Sequence, residues 1–257
     1  MLIAQISDLH LGPQFVSNSF DQAVKEIRML KPDVVVASGD FTENGLLREF
    51  QLAAEKMQQL SDFPIITVPG NHDYRSTGYL IYKEVFGEKP TFESGSVVFL
   101  NVGTARPDRD EGEVGHRQDL WLGESLRKNR NKVMIIVMHH HVVPVPDTGT
   151  DRITIVDAGD ILRTLFVAQA NLVLCGHRHR PWMWKINELQ IAHAGTTSSE
   201  RTRGYFANTY NIIDVNESTG NARVYLKIVD GKKLDMQDVV RENETYMPEL
   251  KFKLQSA

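Results

Sequence analysis

Short runs of β-branched and aliphatic residues alternate along the first part of the chain with longer stretches in which apolar residues recur every three or four positions. Residues 2–6, 34–37, 65–68, 97–102, 132–138 and 172–174 read as buried strands, because runs this short and this apolar match strands covered on both faces. Between them, Phe20, Ala23, Val24, Ile27 and Leu30 form one helical stripe, and Leu46, Phe50, Ala53, Met57 and Leu60 form another. Residues 118–128 and 158–169 carry the same period. Alternation of this kind predicts an α/β fold built from crossover units. Beyond residue 180 the runs 190–192, 210–215 and 223–229, separated by Gly, Asn and Asp, read as antiparallel strands. No Pro/Ser linker, repeat or low-complexity segment interrupts the chain, which we read as one domain, residues 1–257.

The polar residues of interest fall where the apolar runs stop. In open α/β sheets ligands bind beyond the carboxyl ends of the strands. The first run leads into Ser7-Asp8-Leu9-His10, the second into Ser38-Gly39-Asp40, and the third into Pro69-Gly70-Asn71-His72-Asp73. The run at 132–138 leads into His139-His140-His141, and that at 172–174 into Cys175-Gly176-His177-Arg178-His179. Asp8 and His10 are two apart, as are His177 and His179. In an extended segment such residues share a side, so each pair is expected to present two ligands to one point, with Leu9 and Arg178 facing away. Taken singly, each segment also reads as a turn, a helix cap or a solvated edge. Taken together they read as a metal site. Carboxylate, amide and imidazole donors suit Mn, Fe, Zn, Co or Ni better than Ca, and seven candidate ligands exceed what one ion needs.

Composition narrows the setting. With 29 Lys+Arg against 33 Asp+Glu, the net charge of −4 argues against a protein that coats nucleic acid, so no stable nucleic-acid partner is expected. The single cysteine, Cys175, excludes an internal disulfide, fits a reducing cytoplasm and reads as a small buried hydrophobe. The N-terminal residues lack a signal-peptide pattern, and the apolar run 133–138 is too short to span a bilayer. A cytoplasmic protein without a membrane partner is therefore the expectation, with homo-oligomerisation left open. Of the remaining residues, His116 reads as a solvated residue of an acidic loop, His193 as a strand residue, and Trp182 and Trp184 as sheet packing. Arg201 and Arg203, in the hydroxyl-rich loop 195–204, read equally as an exposed turn or a substrate loop.

The segments Asp8-Leu9-His10, Gly39-Asp40, Gly70-Asn71-His72-Asp73, His139-His140 and Gly176-His177-Arg178-His179 resemble, in order and spacing, the motif set of the calcineurin-like metallophosphoesterase superfamily. Within it, the stretch from Gly39 to Gly45 and the triple His followed by Val-Val-Pro-Val-Pro look like the class III cyclic-nucleotide and glycerophosphodiester phosphodiesterase branch. The resemblance implies a four-layer α/β/β/α sandwich of two mixed sheets flanked by helices, with two metal ions at the strand ends. It implies that Asp8, His10 and His179 hold the first ion, that Asn71, His139 and His177 hold the second, and that Asp40 bridges both. His72 is then the non-ligand histidine beside the phosphate, oriented by Asp73. The first histidine after the strand is the ligand in this superfamily, which points to His139 and leaves His140 behind it and His141 facing the substrate.

The chemistry matches these residue types. A phosphodiester repels an incoming hydroxide and has a poor leaving group. Two cations about 3.5–4 Å apart acidify a water held between them and neutralise the phosphoryl oxygens during in-line attack. One carboxylate must touch both ions, whereas the neutral amide of Asn71 keeps the second ion electrophilic. His72 is placed to stabilise phosphoryl oxygens or protonate the leaving oxygen. The expected function is therefore metal-dependent hydrolysis of a small phosphodiester, such as a cyclic nucleotide or a glycerophosphodiester, by a hydroxide held between the two ions. A broad phosphomonoesterase, a nuclease and a non-catalytic interaction scaffold are the alternatives.

Overall fold

The computed structural model describes residues 1–148, 154–203 and 207–241. Residues 149–153 of the loop 142–157 and Gly204 of the loop 195–204 lie outside the described residues. The elements run β1 (Leu2–Ile6), α1 (Ser17–Leu30), β2 (Val34–Ala37), α2 (Leu47–Gln58), β3 (Ile65–Thr67), a 3₁₀ turn (His72–Tyr74), α3 (Gly78–Phe86), β4 (Thr91–Ser94), β5 (Val97–Asn101) and α4 (His116–Lys128). They continue with β6 (Val133–Val137), α5 (Ala158–Val167), β7 (Leu172–Cys175), β8 (Trp182–Ile186), β9 (Leu189–His193), β10 (Thr209–Val215), β11 (Ala222–Ile228), β12 (Lys233–Asp235) and α6 (Met236–Arg241).

The strands form two six-stranded mixed sheets, ordered β12-β11-β10-β1-β2-β3 and β4-β5-β6-β7-β9-β8. Strand alternation builds the layers. Val34 and Val36 of β2, with Val133, Ile135 and Val137 of β6, enter the apolar core between the sheets. Val35 and Ala37 turn outward to meet Phe20, Ala23 and Ile27 of α1 and Phe50, Ala53 and Met57 of α2. Met134 and Ile136 turn outward to Leu122 and Leu126 of α4 and Ile161 and Leu165 of α5. The result is an α/β/β/α sandwich. Among the described residues, no helix is long and apolar enough to cross a membrane.

The tail departs from the antiparallel expectation in one place. β8 and β9 form an antiparallel hairpin, but β9 lies parallel to β7, from Leu172 opposite Gln190 to Cys175 opposite His193. Burial explains this: Leu189 and Ile191 pack in the outer core and Ala192 in the inner one, so β9 is covered on both faces as parallel strands are. β10 and β11 pair antiparallel in the other sheet, beside β1.

Polar bonds tie the two sheets together below the strand ends. Gln5 of β1 faces the gap between the sheets and donates to Ser38 Oγ (3.2 Å) and to the carbonyl of Cys175 (3.0 Å). It accepts from Asn211 of β10 at 2.9 Å. The carboxyl ends of β1, β2 and β7 are thus held at one point, where the polar segments of the sequence begin.

A second tie holds α1 to its sheet. Glu26 of α1 pairs with Lys227 of β11 at 2.9 Å and accepts from the backbone N–H of Asp230 at 2.9 Å. Burial pushes its carboxyl upward, but Lys227, Gln22 and the Asp230 N–H outweigh that and hold it below the usual carboxylate range. Its contribution to stability is therefore fully present above that range and lost only as pH falls below it. Glu26→Gln should lower the unfolding free energy at pH 7 by about 1.5–3 kcal/mol, with the gap from wild type narrowing as pH falls below the usual carboxylate range. Urea unfolding at pH 7 and through the acid range checks this; a gap that stays constant would rule out the charge as the cause.

Candidate metal centre

The residues that follow the strands turn sharply instead of continuing extended. Asp8, His10, Asp40, His177 and His179 all have left-handed backbones, with φ between +50° and +74°. Such conformations cost about 1–3 kcal/mol each in most side chains and persist only where the surroundings fix them. Here backbone bonds do so: Asp8 N–H donates to Gly39 O (3.0 Å) and His10 N–H to Asp40 O (3.0 Å). Close approach also requires glycine. A Cβ on Gly70 would collide with Asp40 Oδ1, and one on Gly176 with Ser7 Oγ and Asp8 Oδ2.

These turns correct the expectation that each i, i+2 pair serves one point. Asp8 and His10 do meet, in a group with Asp40 and His179 whose donor atoms lie within 4.8 Å of one another. His177 goes elsewhere. It joins His139 and His140 in a second group, and its backbone N–H donates to both carboxylate oxygens of Asp8 (3.0 and 3.1 Å). Asn71 Oδ1 sits 3.2 Å from His139 Nε2 and 3.0 Å from His177 Nδ1. Asp40 Oδ2 lies between the groups, 3.3 Å from His139 Nε2 and 3.7 Å from His10 Nε2. All seven candidate ligands are therefore gathered around Asp40.

The hydrogen bonds on the far side of each ring test whether this set suits cations. His139 Nδ1 donates to Ser38 O (2.7 Å), His10 Nδ1 faces Glu43 Oε2 (3.0 Å), and His179 Nδ1 donates to the carbonyl of Arg201. In the tautomer that makes these contacts, the Nε2 of each ring points inward as a possible ligand. There acceptors meet acceptors: the Nε2 atoms of His10 and His179 are 2.9 Å apart, and His179 Nε2 is 3.3 Å from Asp8 Oδ1. Asp40 Oδ2 is buried with no hydrogen-bond donor. Lone pairs facing one another in a dry site repel, and a cation among them removes the repulsion. Imidazoles fixed by a backbone carbonyl or a carboxylate on the opposite nitrogen are also how metal-binding histidines are oriented. The set fits nitrogen- and oxygen-seeking metal ions.

The electrostatics agree. Burial raises the carboxyls of Asp40 and Asp8, yet His139, His72 and His10 hold Asp40 well below its usual range, and His179 and His139 lower Asp8. Burial opposes charge on His139, but Asp40 and Asp8 raise it to about 9. Without a metal ion that field draws a second proton to His139, and a bound cation would take that proton's place and leave Nε2 free as a ligand.

The triple histidine separates by geometry. His139 aims its lone pair into the centre. His140 has both ring nitrogens engaged, Nδ1 with Thr104 Oγ1 (2.8 Å) and Nε2 with Asp110 O (3.2 Å). Burial and the neighbouring His139 push it down to about 3, so it stays neutral. His141 does not face the substrate side as expected: it is fully buried, contacts Gly176 O at 2.5 Å and packs edge-on against His193 of β9.

Asp73 also differs from its expected role. Its carboxylate accepts from the N–H groups of Gly70, Phe41 and Thr42 and from Thr42 Oγ1, and does not touch the His72 ring. It lies beneath the turn and knits the segments after β2 and β3 together. The His72 ring is oriented by Glu43 instead, whose carbonyl accepts from Nδ1 at 2.7 Å.

Glu43, Arg75, Asp110 and Arg201 were not assigned to the site from the sequence. Glu43 is buried between His10 and Arg201 Nη2, the latter at 2.7 Å. Asp110 accepts from Asn71 Nδ2 at 3.3 Å, which turns the amide oxygen toward the histidines. His116 opens α4 and is exposed, and it belongs to neither group. Cys175 is buried in β7.

Known proteins agree with this arrangement. A family profile described as calcineurin-like phosphoesterase matches residues 1–181. A probable glycerophosphodiester phosphodiesterase GpdQ of Arcobacter nitrofigilis is 25% identical over 222 residues, covering 78% of this chain and 80% of that protein. The 3',5'-cyclic adenosine monophosphate phosphodiesterase CpdA of Escherichia coli is 24% identical over 191 residues, 69% of each chain. A dimetal phosphatase from Danio rerio shares the fold with a TM-score of 0.70 at 14% identity, over 92% of this chain and 98% of that one. With the profile spanning most of the chain and every strand-end motif present, the chain belongs to the calcineurin-like phosphoesterase family.

Proposed function

We propose that this chain is a dinuclear metal-dependent phosphodiesterase that hydrolyses small phosphodiesters, with cyclic nucleotides and glycerophosphodiesters as the substrate classes. The observation that carries the reading is the convergence of buried acceptors on Asp40, since a donor-free carboxylate oxygen between two imidazole groups calls for cations on both sides. The substrate class is supported by the relatives, which are named for glycerophosphodiester and cyclic-nucleotide hydrolysis.

In this reading Asp8, His10 and His179 hold one ion, Asn71, His139 and His177 the other, and Asp40 both. When bound, the two ions acidify a water and neutralise phosphoryl oxygens. The remaining work belongs to the chain. Ser38 O, Glu43 and Arg201 O hold the Nδ1 side of His139, His10 and His179 and so would turn the Nε2 of each toward the ions. Asp110 orients the Asn71 amide, and Asp73 fixes the loops that carry Asp40 and Asn71. His72, held by Glu43, stands beside the reacting phosphoryl group without joining the ligand set.

His72→Ala should therefore leave metal content near wild type while turnover falls about 10²–10⁴-fold; metal analysis paired with steady-state kinetics checks this, and unchanged turnover would remove the role. Substrate class is read by parallel assays of Mn-loaded protein on bis(4-nitrophenyl) phosphate and 4-nitrophenyl phosphate. The diester should be turned over preferentially. Predominant monoester turnover would make the protein a phosphomonoesterase.

A further inference from the structure

A cationic side chain at the mouth of the site is not accounted for by metal binding. Arg75 follows the 3₁₀ turn that carries His72, and its backbone is braced on both sides: Arg75 N–H donates to His72 O (3.4 Å) and Gly78 N–H donates to Arg75 O (2.8 Å). Gly45 allows the approach, since a Cβ there would collide with Arg75 O at 2.6 Å. The guanidinium donates through Nη1 to Glu43 O (2.9 Å) and through Nη2 to His72 Nε2 (3.3 Å). The same Glu43 carbonyl accepts from His72 Nδ1. One backbone oxygen therefore fixes both side chains.

This arrangement settles which atom offers a hydrogen there. With its Nδ1 proton directed at a carbonyl, the His72 ring meets the Arg75 N–H with the Nε2 lone pair, since a guanidinium only donates. The donor at this edge of the site is the guanidinium. Its other contacts are weak: Asn44 Oδ1 at 3.5 Å, and Asp110 Oδ1 at 3.9 Å on a side chain that is 83% exposed. Five N–H groups in a planar fork match the oxygens of a phosphate, and these contacts leave part of the fork for them. With two cations bound, the guanidinium would be repelled by them until an anion arrived to be shared among the three positive centres.

We propose that Arg75 is an anion contact of this site, donating to a non-bridging phosphoryl oxygen, and that His72 supports anion binding by positioning it. This rests on the phosphoesterase reading above and adds anion positioning to the part that His72 plays in turnover.

Inorganic phosphate is the probe. Wild type, Arg75→Lys, Arg75→Met, His72→Ala and the double variant His72→Ala/Arg75→Met are loaded with Mn, checked for two ions per chain, and titrated with phosphate by calorimetry. Arg75→Met should keep both ions and weaken phosphate binding about 10–100-fold, with KM for bis(4-nitrophenyl) phosphate rising in step. Arg75→Lys, which keeps the charge without the fork, should fall between. His72→Ala should weaken phosphate binding in the wild-type background but little further in the Arg75→Met background, the non-additivity expected of a positioning residue. Phosphate affinity within twofold of wild type in Arg75→Met, loss of an ion in that variant, or additive effects in the double variant would overturn the proposal. Arg75-dependent phosphate binding by a protein that hydrolyses no phosphoester would leave the anion contact standing and overturn the proposed reaction instead.

Discussion

The structure is organised around a repulsion that only a bound cation or an added proton relieves. Two carboxylates, Asp8 and Asp40, are almost fully buried, and the imidazole nitrogens around them have their protons turned away toward Glu43, Ser38 O and Arg201 O. Acceptors packed against acceptors in a water-poor pocket cost free energy unless cations sit among them. Everything else in the fold holds these groups in place against that cost: apolar cores on both faces of each sheet, the Gln5 tie between sheets, and glycines where a Cβ would strike a carboxylate.

The way the site is delivered follows from this. Parallel strands end at the same edge of a sheet, so β1, β2, β3, β6 and β7 bring their following residues to one place. A chain that continued extended would carry the side chains away. The left-handed turns at Asp8, His10, Asp40, His177 and His179 fold them back over the strand ends. Strain is thus concentrated where the ligand set is assembled, and Asp73 offsets part of it by binding three backbone N–H groups from two loops.

Much of this was legible in the sequence because it is local. Apolar runs and helical stripes located the central strands and the four longer helices to within a few residues, and the polar residues directly after the runs marked the site. What was not legible depends on dihedrals or on distant chain. The i, i+2 rule assumes an extended backbone, so it joined His177 to His179, whereas the turns send them to different groups. Asp73 is adjacent to His72 in sequence, which suggested a pair, but the 3₁₀ turn points the two side chains apart. His141 follows two site histidines yet turns into the core against His193. Glu43 and Arg75 carry no motif of their own; they become visible as partners of His10 and His72 only when the loop after β2 is laid against the turn after β3. α3, β4 and α6 are short, and β12 sits at a sheet edge, so none had a periodic signal long enough to read.

In the proposed reading the buried acceptors around Asp40 would hold two metal ions, with Asp40 shared by both. Metal stoichiometry measures it most directly: purified protein and its Asp40→Ala variant, each equilibrated with Mn and desalted, are analysed for ions per chain, with circular dichroism confirming that both are folded. Two ions are expected for the wild-type chain and fewer than two for the folded variant. A wild-type chain that holds no more than one ion, or a variant that still holds two, would contradict it.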